Sequence, residues 1–208
     1  GFGKPSTSLV PSTLTAFYTN DNVPQYAFDP KKAEQLLDEA GLPKNKDGVR
    51  FGITIDYQPF NESYKFHAEY LRQNLKAIGI DAAVCNQDLP TFVKRIYTDY
   101  DFDVNTGQIS PYLDPQIGGL RHYSSKAITQ GVPWANASNY SNPEADKLIE
   151  TIQTSNDPAE RVKQFHELQR IGKADLPVLP PFEIEHFTGY NKKLHGLGAG
   201  PGAVTSSL

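Results

Sequence analysis

At 208 residues, 38% hydrophobic and 21% charged, the chain has the size for one α/β domain or two small ones and the apolar content for a real core. A net charge of -4 gives no general attraction to phosphate backbones or anionic lipid, so no nucleic-acid partner is expected. The single Cys85 excludes an intramolecular disulfide, no apolar run reaches the roughly 20 residues that span a bilayer, and the lack of Met, even at position 1, fits a piece of a longer chain.

Residues 1–25 are rich in Gly, Pro, Ser and Thr without sustained periodicity and read as an extended crossing segment with no core of its own. The first firm element is a helix: Asp29 caps it, Pro30 suits its first position, Gly41 ends it, and Ala33, Leu36, Leu37 and Ala40 form an apolar stripe. Phe51, Ile53, Ile55 and Tyr57 then alternate at period two, which is a strand. Tyr64, Ala68, Leu71, Leu75 and Ile78 fall at helical spacing up to Gly79, and Ile80 to Cys85 makes a second strand. Strand, helix and strand over this length form a βαβ unit with parallel strands.

Thr91 to Tyr97 predicts a short helix with Phe92, Val93 and Ile96 inward, and Asp101 to Asn105 predicts a third parallel strand. Its exit would share an edge with Gln58 to Asn61 and Asn86 to Asp88, the edge on which open α/β sheets hold ligands. Asn142-Pro143 and Asp157-Pro158 open two further helices, and LPVLPPFEIE is an extended run whose prolines confine it to an edge or a crossing. The expected domain organisation is a crossing segment at 1–25, an α/β lobe at 26–190, and a second crossing segment with a flexible tail at 191–208.

Most motifs dissolve on inspection. Asp99, Asp101 and Asp103 begin like a calcium loop, but Val104 and Ser110 stand where such a loop needs Gly and Glu. GLGAGPG near the C-terminus has no strand before it and no helix after it. His67, His122, His166, His186 and His195 show no ligand spacing, no nucleophile elbow exists, and neither metal nor cofactor is expected. What remains is the long connection from Gln108 to Tyr140, which carries aromatic and polar groups of the kind that line a small-ligand pocket. Gln108, Ile109, Ser110, Tyr112, Arg121, Tyr123 and Trp134 are its candidate ligand-binding residues, with no catalytic residue and no metal ligand among them.

The ordered pieces YAFDPKKAEQLLDEAG, LRQNLKAIGIDA, YDFDVNTGQISPYLDP, NASNYSNPEADKLI and LPVLPPFE resemble the C-terminal lobe of extracellular solute-binding proteins of the peptide and nickel ABC-importer class, solute-binding protein family 5. The resemblance extends over about residues 1–197. It implies one lobe of a type II periplasmic-binding-protein fold, non-catalytic, that captures a peptide or peptide-like solute for a membrane permease. Implied partners are that solute, the N-terminal lobe of the same protein and the ABC permease, in a periplasmic or extracellular setting held at the membrane through the importer. The resemblance implies that dipeptide- and oligopeptide-binding members place an acid shortly after the Gly of the YDFD-like strand to pair with the ligand's amino terminus, whereas Gly107 is followed by Gln108 and no carboxylate occurs before Asp114. Two alternatives are an α/β hydrolase or transferase working at the same strand edge, for which no nucleophile, base and orienter set is evident, and a stand-alone flavodoxin-like interaction domain.

Overall fold

The computed structural model describes residues 3–6, 8–109, 114–184, 191–193 and 195. In chain order its regular elements are β1 (Gly3–Pro5), α1 (Pro30–Glu39), β2 (Phe51–Tyr57), α2 (Glu62–Ala77), β3 (Ile80–Cys85), α3 (Leu89–Val93), a π-helical turn (Lys94–Asp99), β4 (Val104–Thr106), two short 3-10 turns (Leu120–His122 and Ser125–Ala127), α4 (Pro143–Thr154), α5 (Pro158–Asp175) and β5 (Phe182–Ile184). They divide into two compact units: Tyr26–Gln108 with Ile128–Ser138, and Gly1–Gln25 with Ile109–Ala127 and Asn139–Leu208.

The first of these units is the βαβ domain that the hydrophobic periods specify. Its sheet has the order β3-β2-β4 and is parallel throughout, with Phe51 opposite Ile80 and Ile55 opposite Val104. Asn61 caps α2 by accepting from the Ser63 N–H at 2.9 Å, and Gly79 leaves the helix at a φ of +89°, which a side chain would resist. Ala68, Leu71, Leu75 and Tyr64 of α2 close over Ile53, Ile55 and Tyr57 of β2, with Ala82, Val84 and Val104 beside them. Burying this stripe is what stabilises helix and sheet together.

Two expectations need correction here. The third strand is only Val104–Thr106, because Tyr100 turns left-handed (φ 52°) to end the π-helical turn and the Asp101 N–H bonds to the Arg95 carbonyl. Tyr100 and Phe102 pack against Phe92, Ile96 and Tyr97, and only Val104 joins the sheet core, so one alternating run serves two cores. The short helix also starts earlier than Thr91, at Leu89, since the Asp88 carboxylate accepts from the Thr91 N–H at 2.9 Å. The apolar stripe of α1 is a further surprise, for none of its residues is buried and Leu36 is 52% exposed. Ion pairs Arg50–Asp38 and Lys44–Glu34 tether the helix instead.

In the other unit α4 and α5 pack around Ala145, Ile149, Ile152, Phe165 and Leu168, together with Leu120 and Tyr123. The N-terminal segment shares this core: Val10 is buried in it, and Leu9, Leu14, Phe17 and Tyr18 lie against it. Buried Gln169 fixes the segment to α5, its Nε2 donating to the Phe17 carbonyl at 2.8 Å and its Oε1 accepting from Ser8 Oγ at 2.5 Å. β1 and β5 form a two-stranded antiparallel sheet, Gly3 opposite Ile184.

Candidate functional site

Three chain segments leave the carboxyl edge of the parallel sheet: Gln58 after β2, Asn86 after β3 and Gly107 after β4. Side chains at these exits are joined by hydrogen bonds. Tyr57 donates its hydroxyl to Asn86 Oδ1 at 2.6 Å, and Tyr64, from the first turn of α2, donates to Gln108 Oε1 at 3.0 Å. Gln58 bonds through its N–H to the Thr106 carbonyl at 2.9 Å, while its side-chain Oε1 accepts from the Gln108 N–H at 3.5 Å. Gly107 is required by this arrangement, because a Cβ there would fall 2.2 Å from Gln58 Cδ. The bare backbone lets the Gln58 side chain lie across the end of β4.

Beneath the edge sits Asp56, fully buried. Burial raises its carboxyl above the ordinary 3.8, and the hydrogen bond from Gln87 and the charge of Arg95 hold that rise in check. Gln87 Nε2 donates to Oδ1 at 2.6 Å and Arg95 Nη1 stands 3.3 Å away, whereas Oδ2 has no hydrogen-bond partner among the described residues. The same guanidinium reaches Asp101, at 3.2 Å, and Cys85 Sγ, at 3.5 Å. Asp103 accepts from both the N–H and the hydroxyl of Thr54, and Asp99 pairs with Lys94, so the three aspartates that opened like a calcium loop serve three separate structural ties.

An aromatic group flanks the exits. Trp134 adopts a left-handed backbone (φ 65°), a conformation that costs energy for a bulky residue and is held by its surroundings. Its ring meets Tyr97 edge-on at 5.5 Å and lies near Phe92, and on another side it tilts against Phe60 at 5.7 Å. Phe60, two residues past Gln58, is 57% exposed.

Of the residues singled out in the sequence, Gln108 and Trp134 fall in this unit, on or beside the edge. Ile109, Arg121 and Tyr123 belong to the other: Ile109 is partly buried, Arg121 is exposed, and Tyr123 is 1% exposed within the α4–α5 core, its ring lying on Gly172. Ser110 and Tyr112 lie outside the described residues. Asp114 caps the Gln116 N–H and pairs with Arg161 Nη2 at 2.7 Å. Sequence reasoning placed the segments of Gln58 and Asn86 on the edge but did not single out Tyr64, Phe60 or Asp56. Tyr64 reads as a core helix position and Asp56 as an outward strand residue, and only the pairing of β2 with strands on both sides reveals otherwise.

The family model for bacterial extracellular solute-binding proteins, family 5 Middle, matches residues 1–131. The chain is 26% identical over 201 residues to the dipeptide-binding protein of Escherichia coli and 24% identical over 204 residues to that of Pseudomonas aeruginosa, covering 97% of this chain and 36% of each relative. The crystal structure of a dipeptide-binding protein from a Pseudoalteromonas species in complex with Met-Leu superposes with a TM-score of 0.74 at 27% identity, over 88% of this chain and 35% of that one. The chain thus spans about a third of the length of the relatives it matches.

Proposed function

The chain belongs to the bacterial extracellular solute-binding proteins of family 5, and from that premise we propose that it is one lobe of the substrate-binding component of an ABC importer. In this reading the carboxyl edge of the β3-β2-β4 sheet meets a peptide or peptide-like small solute, which a second lobe of the same protein encloses for delivery to a membrane permease. The single observation that carries it is the family match over residues 1–131, which runs through all three strand exits. Gln108 is the central contact and Trp134 the aromatic wall. From their place in the sequence alone, Ile109, Ser110, Tyr112 and Arg121 are proposed as further ligand contacts, and Tyr123 lies in the α4–α5 core. The relatives are named for binding, and the role proposed is likewise capture without catalysis.

The family supports a periplasmic or extracellular location, and attachment to the membrane through the importer is part of the proposal. No helix among the described residues is long and apolar enough to cross a membrane. Small-angle scattering of the full-length protein tests the reading. Compaction on addition of one member of a broad peptide panel is expected, and an unchanged radius of gyration with every member would refute it.

A further inference from the structure

Resting on the reading that this edge meets the ligand, we infer that the solute presents to it an uncharged hydrogen-bonding group rather than an ammonium. The groups at the three strand exits are neutral: amides of Gln58, Asn86, Gln87 and Gln108, and hydroxyls of Tyr57 and Tyr64. Most carboxylates on or near these segments have another task, while Glu62, in the first turn of α2, is exposed. Asp56 is fully buried under Gln87 and Arg95, Asp101 pairs with Arg95, Asp103 binds Thr54, and Asp88 caps α3. Asp114, the first acid after Gly107 along the chain, is tied to Arg161.

An ammonium brought out of water against these amides and hydroxyls loses its hydration and gains no counter-charge from them. The polarity of the amides adds to this. The side-chain oxygens of Gln58, Asn86 and Gln108 already accept from internal donors, and the side-chain nitrogens of Gln58 and Asn86 make no hydrogen bond among the described residues. Those nitrogens donate to carbonyl, ether or hydroxyl oxygens and repel a cation. Beside them the exposed ring of Phe60, tilted on Trp134, offers an apolar face suited to an acyl group or the flat side of a sugar. The shared chemistry is a neutral, oxygen-rich end, which an N-acylated peptide and an oligosaccharide both supply.

Calorimetric titration of the full-length protein, stripped of carried solute, with Ala-Phe, N-acetyl-Ala-Phe and cellotriose separates the possibilities. The expected result is that the blocked peptide or the trisaccharide binds at least about tenfold more tightly than Ala-Phe, and whichever does so identifies the source. Gln108→Asp, with its melting temperature checked, should then raise affinity for Ala-Phe by about tenfold at neutral pH. Ala-Phe binding as tightly as the blocked peptide, weakened by Asp88→Asn, would overturn the inference and leave the capture reading intact. No heat with any probe, together with no solute found on the purified protein by native mass spectrometry, would instead remove the capture reading and the inference with it.

Discussion

Tyr123 and Trp134 come from the same turn-rich connection and end in opposite circumstances. Tyr123 lies in an ordinary backbone conformation within the α4–α5 core, its ring on the bare backbone of Gly172, where a Cβ would approach Cε1 to 2.5 Å. Trp134 is held at a positive φ by Phe92 and Tyr97 and turns toward an exposed Phe60. One unit uses its aromatic to complete a helix pair, and the other holds its aromatic beside open strand ends. An aromatic-rich connection is therefore no signature of a pocket by itself. What surrounds each ring decides its role.

That contrast is broken most forcefully at Tyr123. Tyr123→Ala should cost about 3–5 kcal/mol in urea unfolding, the range for emptying a large aromatic site. Tyr123→Phe should leave ligand affinity unchanged, and a drop in affinity without a drop in stability would make Tyr123 a ligand contact after all. Trp134→Ala should divide the other way, with a stability loss clearly smaller than that of Tyr123→Ala and a loss of affinity of about tenfold or more.

A second contrast lies in pH. Burial, reinforced by the Arg121 charge, lowers His122 in the helical unit from 6.5 to about 4. A histidine depressed on folding contributes stability above its unfolded pKa and loses it as the pH falls toward the folded one. The chain should therefore lose up to about 3 kcal/mol between those two values, and His122→Gln should flatten that limb of the stability profile. Asp56, in the sheet unit, acts in the reverse sense. Its carboxyl is raised, so its contribution is greatest below 3.8 and declines as the pH rises through the folded value. Asp56→Asn keeps an oxygen for Gln87, and its stability relative to the parent should improve from about pH 3.5 to about pH 7; an equal difference at both would refute the assignment.

A small stability effect is expected at Gly107→Ala. The clash is with a flexible side chain, so unfolding should shift by about 1 kcal/mol or less while ligand affinity falls as Gln58 is displaced.

The βαβ unit was legible because its periods are pure: Ile53, Ile55 and Tyr57 at two, and Tyr64, Ala68, Leu71 and Leu75 at helical spacing, both closed by glycine or a capping Asn. The helix starts at Asn142 and Asp157 were legible for the same local reason, each cap accepting from N–H groups of its first turn. The third strand was legible only in part. Alternation at Tyr100, Phe102 and Val104 does not say which core each residue joins, and a left-handed tyrosine carries no sequence signal. Residues 1–25 lack periodicity because their core comes from α4 and α5, far along the chain, through Val10 and the hydrogen bonds of Gln169. The candidate site was legible as an edge, from the order of the strands, but not residue by residue. The hydrogen bonds of Gln58, Tyr64 and Gln108 join positions distant in sequence, which no local pattern records.

The central claim is that the strand exits of the sheet unit contact the solute. Its most direct measurement is the affinity of full-length Gln108→Ala for the solute carried by the parent protein, identified by native mass spectrometry and titrated by calorimetry. The account predicts a loss of about tenfold or more with the melting temperature held within about a degree. An affinity equal to that of the parent would contradict it.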